Sequence, residues 1–195
     1  MSTREETGKD DPPIQDRSQL IEFFAGGEKP REAWRIGTEH EKFVYRTADH
    51  RAPSYDEPGG ICDLLAGLTR FGWEPVHEGD KVIALRGPDG TISLEPAGQL
   101  ELSGAPLENL HQTCAETGRH LEQVKRVGDE LGLGFLGLGM WPDKTRGELP
   151  IMPKGRYAIM LRHMPRVGSL GLDMMLRTCT IQVNLDYSDE ANMVK

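Results

Sequence analysis

Apolar stretches are short in this chain. None approaches the ~20 residues that a bilayer-spanning helix needs. A mean hydropathy of -0.51 and a hydrophobic content of 37% describe a soluble globular protein, and membrane insertion is excluded. Cysteine is scarce too: Cys62, Cys114 and Cys179 are an odd number without CxxC or Cys/His ligand spacing. That excludes a disulfide scaffold and a zinc site and makes a reducing cytoplasm the expected setting. Basic residues are outnumbered, 23 Lys and Arg against 31 Asp and Glu for a net charge of -8, which argues against a nucleic-acid surface. The amino terminus, MSTREETGKDDPPIQDR, has no apolar core and is rich in acids. It reads as neither a secretory signal nor a transit peptide, and residues 1–18 are expected to form a disordered tail.

What the chain does have is a concentrated run of strand-forming residues at 34–45, WRIGTEHEKFVY. Successive strand side chains point to opposite faces, so Glu39 and Glu41 project together, with Gly37 leaving their side without bulk, while Trp34, Ile36 and Val44 lie beneath. The pair is either a solvated strand face or one half of a divalent-cation site. Close like charges repel unless a cation or proton intervenes, and hard cations such as magnesium favour carboxylate oxygens.

Further elements surround that strand. Residues 16–25 carry Leu20, Ile21, Phe23 and Phe24 at helical spacing and stop at Gly26-Gly27; a second helix follows a polar loop, with Ile61, Leu64, Leu65 and Leu68 as its stripe. Residues 81–86 and 91–95 form a hairpin through Gly87-Pro88-Asp89-Gly90. Beyond it Pro96 and Gly98 interrupt the ladder, yet Glu95, Gln99 and Glu101 keep one parity and Leu94, Leu100 and Leu102 the other. A long helix over 106–131 is expected to bury Leu107, Leu110, Cys114, Leu121, Val124 and Leu131 and to end at Gly132.

LGFLGLGMW then reads as a strand whose glycines permit close backbone approach; it lacks the context of a phosphate loop. Residues 154–164 form a helix with Lys154, Arg156, Arg162 and His163 as a basic cluster. The strand over 178–187 alternates polar Thr178, Thr180, Gln182, Asn184 and Asp186 with apolar Cys179, Ile181, Val183, Leu185 and Tyr187, so one face is expected in the core. Ser188 caps a last helix, and the domain reads as interrupted at Lys195. Without a regular βαβ cadence, the fold class is α+β, a mainly antiparallel sheet flanked by helices.

Glu39, Glu41, Glu95 and Glu101 thus form two carboxylate pairs on separate strands, with Gln99, Gln182 and Asn184 as neutral neighbours. Such a floor suits magnesium ions bridging nucleotide phosphates. It fits a kinase, a hydrolase or an ATP-driven ligase alike.

The segments IGTEHEKF at 36–43, LEPAGQLELSGAPLENLHQTCAE at 94–116, PIMPKGRY at 150–157 and GLDMMLRTCTIQVNLD at 171–186 resemble the plant and proteobacterial type of glutamate-cysteine ligase. The resemblance runs in consistent order over about residues 20–195 and makes 19–195 the amino-terminal part of such a catalytic domain. It implies a glutamine-synthetase-like sheet and ATP-dependent joining of glutamate to cysteine through a γ-glutamyl phosphate, the first step of glutathione synthesis. It also implies magnesium held by Glu39, Glu41, Glu95 and Glu101, and a pocket lined by Gln99, Met175, Gln182 and Asn184. Arg156 and Arg162 are the catalytic candidates, and a homodimer is a possible assembly. Two alternatives stay open: a related ligase using another amine, and a non-catalytic relative that binds glutamate or magnesium-nucleotide.

The resemblance is broken at Leu161 and Arg162, where the plant form has Arg and Asn, and at Ala97, where it has Gly. Loss of charge at Leu161 removes a glutamate contact unless Arg162 supplies it from a shifted helix phase. Cys114 matches a plant cysteine whose regulatory disulfide partner lies outside this chain.

Overall fold

The computed structural model describes residues 13–88 and 90–195. Residues 1–12, most of the expected tail, lie outside the described residues, as does Asp89 of the expected turn. Helix α1 (Arg17–Ala25) opens on a capping box in which Asp16 accepts from the Ser18 and Gln19 amides and Gln19 reaches back. Strand β1 (Ile36–Arg46) comes next, then α2 (Ile61–Leu68). Four short strands follow: β2 (Glu74–Glu78), β3 (Lys81–Arg86), β4 (Thr91–Leu94) and β5 (Leu100–Ser103). Helix α3 (Leu110–Leu131), β6 (Leu133–Leu136), α4 (Gly155–Val167), α5 (Gly171–Arg177), β7 (Ile181–Leu185) and α6 (Glu190–Met193) complete the described chain.

The seven strands among the described residues join one sheet in the order β2-β3-β4-β5-β1-β6, with β7 also on β1. Every pairing is antiparallel. The α+β expectation is therefore met. Strand β1 is the hub: it pairs with β7 over Ile36–His40, with β5 over Glu39–Lys42 and with β6 over Phe43–Arg46. Because β5 and β7 both pair with Glu39 and His40, they lie on opposite edges of β1.

The core lies mainly beneath the sheet. Ile61, Leu64, Leu65 and Leu68 of α2 are each fully buried, as the stripe requires, and meet Leu85, Ile92, Leu94, Leu100, Val124 and Val127. Burying a side chain of that size contributes roughly 1.5–3 kcal/mol, so this layer fixes where α3 can lie. On the other face α4 and α5 bring Tyr157, Met175 and Leu176 into the core, and the Tyr157 hydroxyl donates to the Leu94 carbonyl at 2.6 Å. The chain passes from β4 to β5 through a turn in which Gly98 takes φ +86°, a left-handed conformation natural to glycine. Gly132 closes α3 at φ +68°.

Several expectations change. On α3 the buried residues are His120, Val124, Val127 and Gly128, whereas Cys114 is exposed and Leu110 and Leu121 are 71% and 42% exposed. The helix is turned so that a mixed polar and apolar stripe faces the sheet. Helix α1 buries none of its residues, and Phe23 is 79% exposed. Strand β7 forms where expected, but its apolar face is open: Ile181, Val183 and Leu185 are 67%, 54% and 70% exposed, and only Cys179, just before it, is buried. Asp189, one residue beyond Ser188, caps α6. Strand β2 was not foreseen, because EPVHE is polar and contains proline, the composition of a protected edge strand.

Glycine allows one close approach that tests the β1–β6 register. A Cβ at Gly134 would lie 2.3 Å from the Tyr45 ring, whereas one at Gly139 would meet nothing within 4 Å. Gly134→Ala is expected to lower unfolding stability by about 1–3 kcal/mol, read from urea midpoints, with Gly139→Ala unchanged.

Candidate active site

The sheet register places the acids. Glu41 lies directly opposite Glu101, and Ser93 lies beyond Glu101 on β4, so the three share one face with side chains about 5 Å apart. Glu101 is 3% exposed; its Oε1 accepts from Ser103 Oγ at 2.5 Å and its Oε2 from Ser93 Oγ at 3.5 Å. Glu41 Oε2 accepts the Thr180 amide at 2.7 Å. Burial, and then repulsion from Glu101 and Glu39, raise the Glu41 carboxyl above the ordinary range, against the pull of the Thr180 amide.

Glu39 sits one step further along the same face, opposite Gln182. Its Oε1 accepts from Gln182 Nε2 at 3.0 Å and from Asn184 Nδ2 at 3.1 Å. Asn184 is opposite Gly37, and the space left by that glycine is filled by the Asn184 side chain. The parity reading thus brings Glu39, Gln182 and Asn184 together, with the two amides acting as donors to the carboxylate.

A cleft of about 250 Å³ opens between this face and the helices above, lined by Glu41, Glu95, Gln99, Met160 of α4 and Met174 and Met175 of α5, with Thr178 and Thr180 at its side. Gln99 is buried and committed at both ends: Oε1 accepts the Ala97 amide at 2.8 Å and Nε2 donates to the Thr178 carbonyl at 2.9 Å. It ties the β4–β5 turn to the segment entering β7. Met175 is 3% exposed and forms part of the cleft wall. Arg156 Nη2 stands 3.7 Å from Glu95 Oε1. Arg162 is exposed and does not line the cleft; Leu161 packs partly buried against the core, and Met160 is the α4 residue that reaches the cleft.

Glu41 and Glu95 therefore line one cleft, Glu101 is buried opposite Glu41, and Glu39 belongs to the adjoining amide cluster. Among the described residues, no group of three or more carboxylate, imidazole or thiol side chains is placed to hold an ion together. Lys154, at the start of α4, is in sequence one member of a basic cluster. It is 4% exposed, and burial, with repulsion from Arg156, lowers its ammonium to about 8 while Glu95 and Glu101 oppose the fall. Its signal was a lysine beside a proline turn just before a helix. Cys179, also beside the cleft, is pushed up to about 12 by burial and by Glu41, so its thiol stays protonated.

The underside of β1 is not purely apolar. Lys42 is 2% exposed and donates to the His40 carbonyl at 2.9 Å, to the Leu100 carbonyl at 3.4 Å and to His120 Nε2 at 2.9 Å. Burial lowers the Lys42 ammonium to about 8, and burial with the neighbouring Lys42 charge lowers His120 to about 2. Strand parity alone assigns Lys42 to this face and so demands a partner for it; α3 supplies that partner.

Glutamate-cysteine ligase family 2 (GCS2) matches residues 35–195. Similar relatives are the glutamate–cysteine ligase, chloroplastic, of Brassica juncea, 58% identical over 180 residues, and that of Medicago truncatula, 56% identical. Glutamate–cysteine ligase A, chloroplastic, of Oryza sativa subsp. japonica is also 56% identical. Each alignment covers 92% of this chain and 34%, 35% and 36% of the respective relative. The chain spans about a third of the length of the curated relatives it matches. Their chloroplastic names overturn the expected cytoplasmic setting: unpaired cysteines indicate a reducing environment, and that does not single out one compartment.

Glu41 generates a pH prediction. Because its folded carboxyl titrates above the unfolded one, ionised Glu41 opposes folding, and this cost appears as pH rises through the folded pKa and is absent below the unfolded one. Glu41→Gln, which retains an acceptor for the Thr180 amide, should unfold at higher urea than the parent at neutral pH. The difference should close near about pH 4, where a glutamate is largely protonated.

Proposed function

The chain belongs to the glutamate-cysteine ligase family, and on that premise we propose that the longer protein joins the γ-carboxylate of glutamate to the amine of cysteine at the expense of ATP. In this reading the γ-phosphoryl group of ATP passes to a glutamate carboxylate oxygen and ADP leaves. The cysteine nitrogen then attacks the activated carbonyl carbon; the C–N bond forms, the C–O bond to phosphate breaks, and phosphate and a proton are released. The relatives' names support this substrate pair and a plastid as the compartment.

The observation that carries the reading is the Glu41–Glu101 pair, set directly opposite one another on the sheet, with Glu41 and Glu95 lining the cleft and Arg156 beside Glu95. The raised Glu41 carboxyl marks a site where a cation would relieve an existing cost. Magnesium binds few carboxylates per ion and keeps water and phosphate in its remaining positions, so a pair suits it where a three-carboxylate cage is absent. The Glu41–Glu101 pair would hold it, with Glu95 also lining the cleft, and it would neutralise phosphate charge during transfer. Arg156 is placed beside Glu95 to meet phosphate oxygens. The Met160, Met174 and Met175 thioethers keep water from the cleft and pack against the substrate's aliphatic carbons. Glu39, Gln182 and Asn184 offer a hydrogen-bonding rim for the ends of an amino acid.

Two measurements test this. Magnesium should raise the thermal midpoint of the chain, with a gain that follows RT ln(1 + [L]/Kd), about 2.7 kcal/mol at a hundredfold excess over Kd. Glu41→Gln should reduce that gain, and metal-independent curves for both versions would remove the cation site. For a protein of the relatives' full length supplied with ATP, magnesium and glutamate, ADP release is expected to depend on cysteine. Release that depends on another amine would redirect the assignment to a related ligase.

A further inference from the structure

Magnesium accepts ligands only in near-ideal octahedral geometry, so a carboxylate that is to hold it must be aimed and not merely present. Glu41 is aimed from outside its own strand. The Thr180 amide donates to Glu41 Oε2 at 2.7 Å, and the Thr180 carbonyl accepts the Glu41 amide at 3.1 Å. Thr180 thus holds both the backbone and the carboxylate of Glu41. It stands just before β7, on the segment that joins α5 to that strand, so whatever fixes this segment fixes the acid.

Gln99 reaches that segment from the β4–β5 turn. Its Nε2 donates to the Thr178 carbonyl at 2.9 Å and approaches the Leu176 carbonyl at 3.5 Å, while its Oε1 takes the Ala97 amide at 2.8 Å. The Gln99 backbone holds Glu95 as well. Its carbonyl accepts the Glu95 amide at 2.9 Å, and the Glu95 carbonyl accepts the Gly98 amide at 2.9 Å, which closes the turn. Glu95 lies beyond the last paired residue of β4, Leu94, so the ladder alone does not place it. Gln99 therefore links the two acids that line the cleft: Glu95 by its main chain, and Glu41 by its side chain through Thr178 and Thr180.

A glutamine that contacts a substrate needs an amide end to offer, and resemblance to the ligases assigns Gln99 to a substrate pocket. Here both ends are committed within the protein, and the residue is 2% exposed. We infer that Gln99 is a positioning residue for the cation site: it sets the aim of the Glu41 carboxylate, and its separation from Glu95, without touching ion or substrate. The inference rests on the proposed function, because it concerns the magnesium that the Glu41–Glu101 pair would hold.

Gln99→Asn keeps the amide but is too short to reach both partners, and Gln99→Met keeps the length but removes both bonds; if one does not fold, the other decides. Magnesium dissociation constants are measured by calorimetry on the 195-residue chain, and exchange of the Thr180 amide by NMR without metal. Each variant is expected to bind magnesium at least about tenfold more weakly, the usual cost of losing a group that orients a metal ligand. The Thr180 amide should exchange faster while the β3 and β4 amides keep their protection, which separates loss of aim from loss of fold. A Gln99 that served as a substrate contact would leave both readouts unchanged. Parent-like magnesium binding or parent-like Thr180 exchange in the variants would overturn the inference. If the parent itself binds no magnesium, the proposed cation site falls and the inference with it, an outcome distinct from one in which the parent binds and the variants behave like it.

Discussion

Hydrogen bonding of β1 along both of its edges is the constraint from which the rest of the arrangement follows. With β5 on one side and β7 on the other, the faces of Glu39 and Glu41 are fixed by strand parity, and a slip of one residue would turn both acids into the core. The same register sets Glu101 opposite Glu41 and Gln182 opposite Glu39. Gln99, hydrogen-bonded at both ends, keeps the turn before β5 and the segment entering β7 at a fixed separation. The floor of the cleft is therefore made of backbone geometry first and side-chain chemistry second.

Charge is arranged through the thickness of the sheet. Acids that repel one another on the upper face are offset by Lys154 and Arg156 at the side and by Lys42 beneath, where two carbonyls and an imidazole hold the ammonium. A buried ammonium is costly unless it is well hydrogen-bonded, and Lys42 finds that bonding only because α3 turns His120 inward. The polar character of α3 on its inner side is thus tied to the acidity of the opposite face, although the two never touch.

Legibility in the sequence divides along physical lines. The α2 stripe, the β3–β4 hairpin, the parity of Glu39 with Glu41 and of Glu95 with Glu101, and the break at Pro96 and Gly98 all depend on local periodicity and turn chemistry, and all were readable. The rotation of α3 was not, because leucines at 107, 110 and 121 suggested a face that tertiary packing rejected in favour of Val124, Val127 and a histidine paired to lysine. Strand β2 hid in a polar composition suited to an edge. Within the site, residue identity could suggest that Gln182 and Asn184 face a ligand, but not that both donate to Glu39. Nor could it show that Leu161 turns towards the core and Arg162 to solvent, since helix phase is decided by the partner surface.

The open apolar face of β7 has a colloidal consequence. Ile181, Val183 and Leu185 stand on a strand whose described pairing is with β1 alone, so its other edge presents unpaired amides and carbonyls next to greasy side chains. That combination is a template for edge-to-edge association between molecules. Charged side chains placed at these three positions would blunt that template without disturbing the acidic floor on the other side.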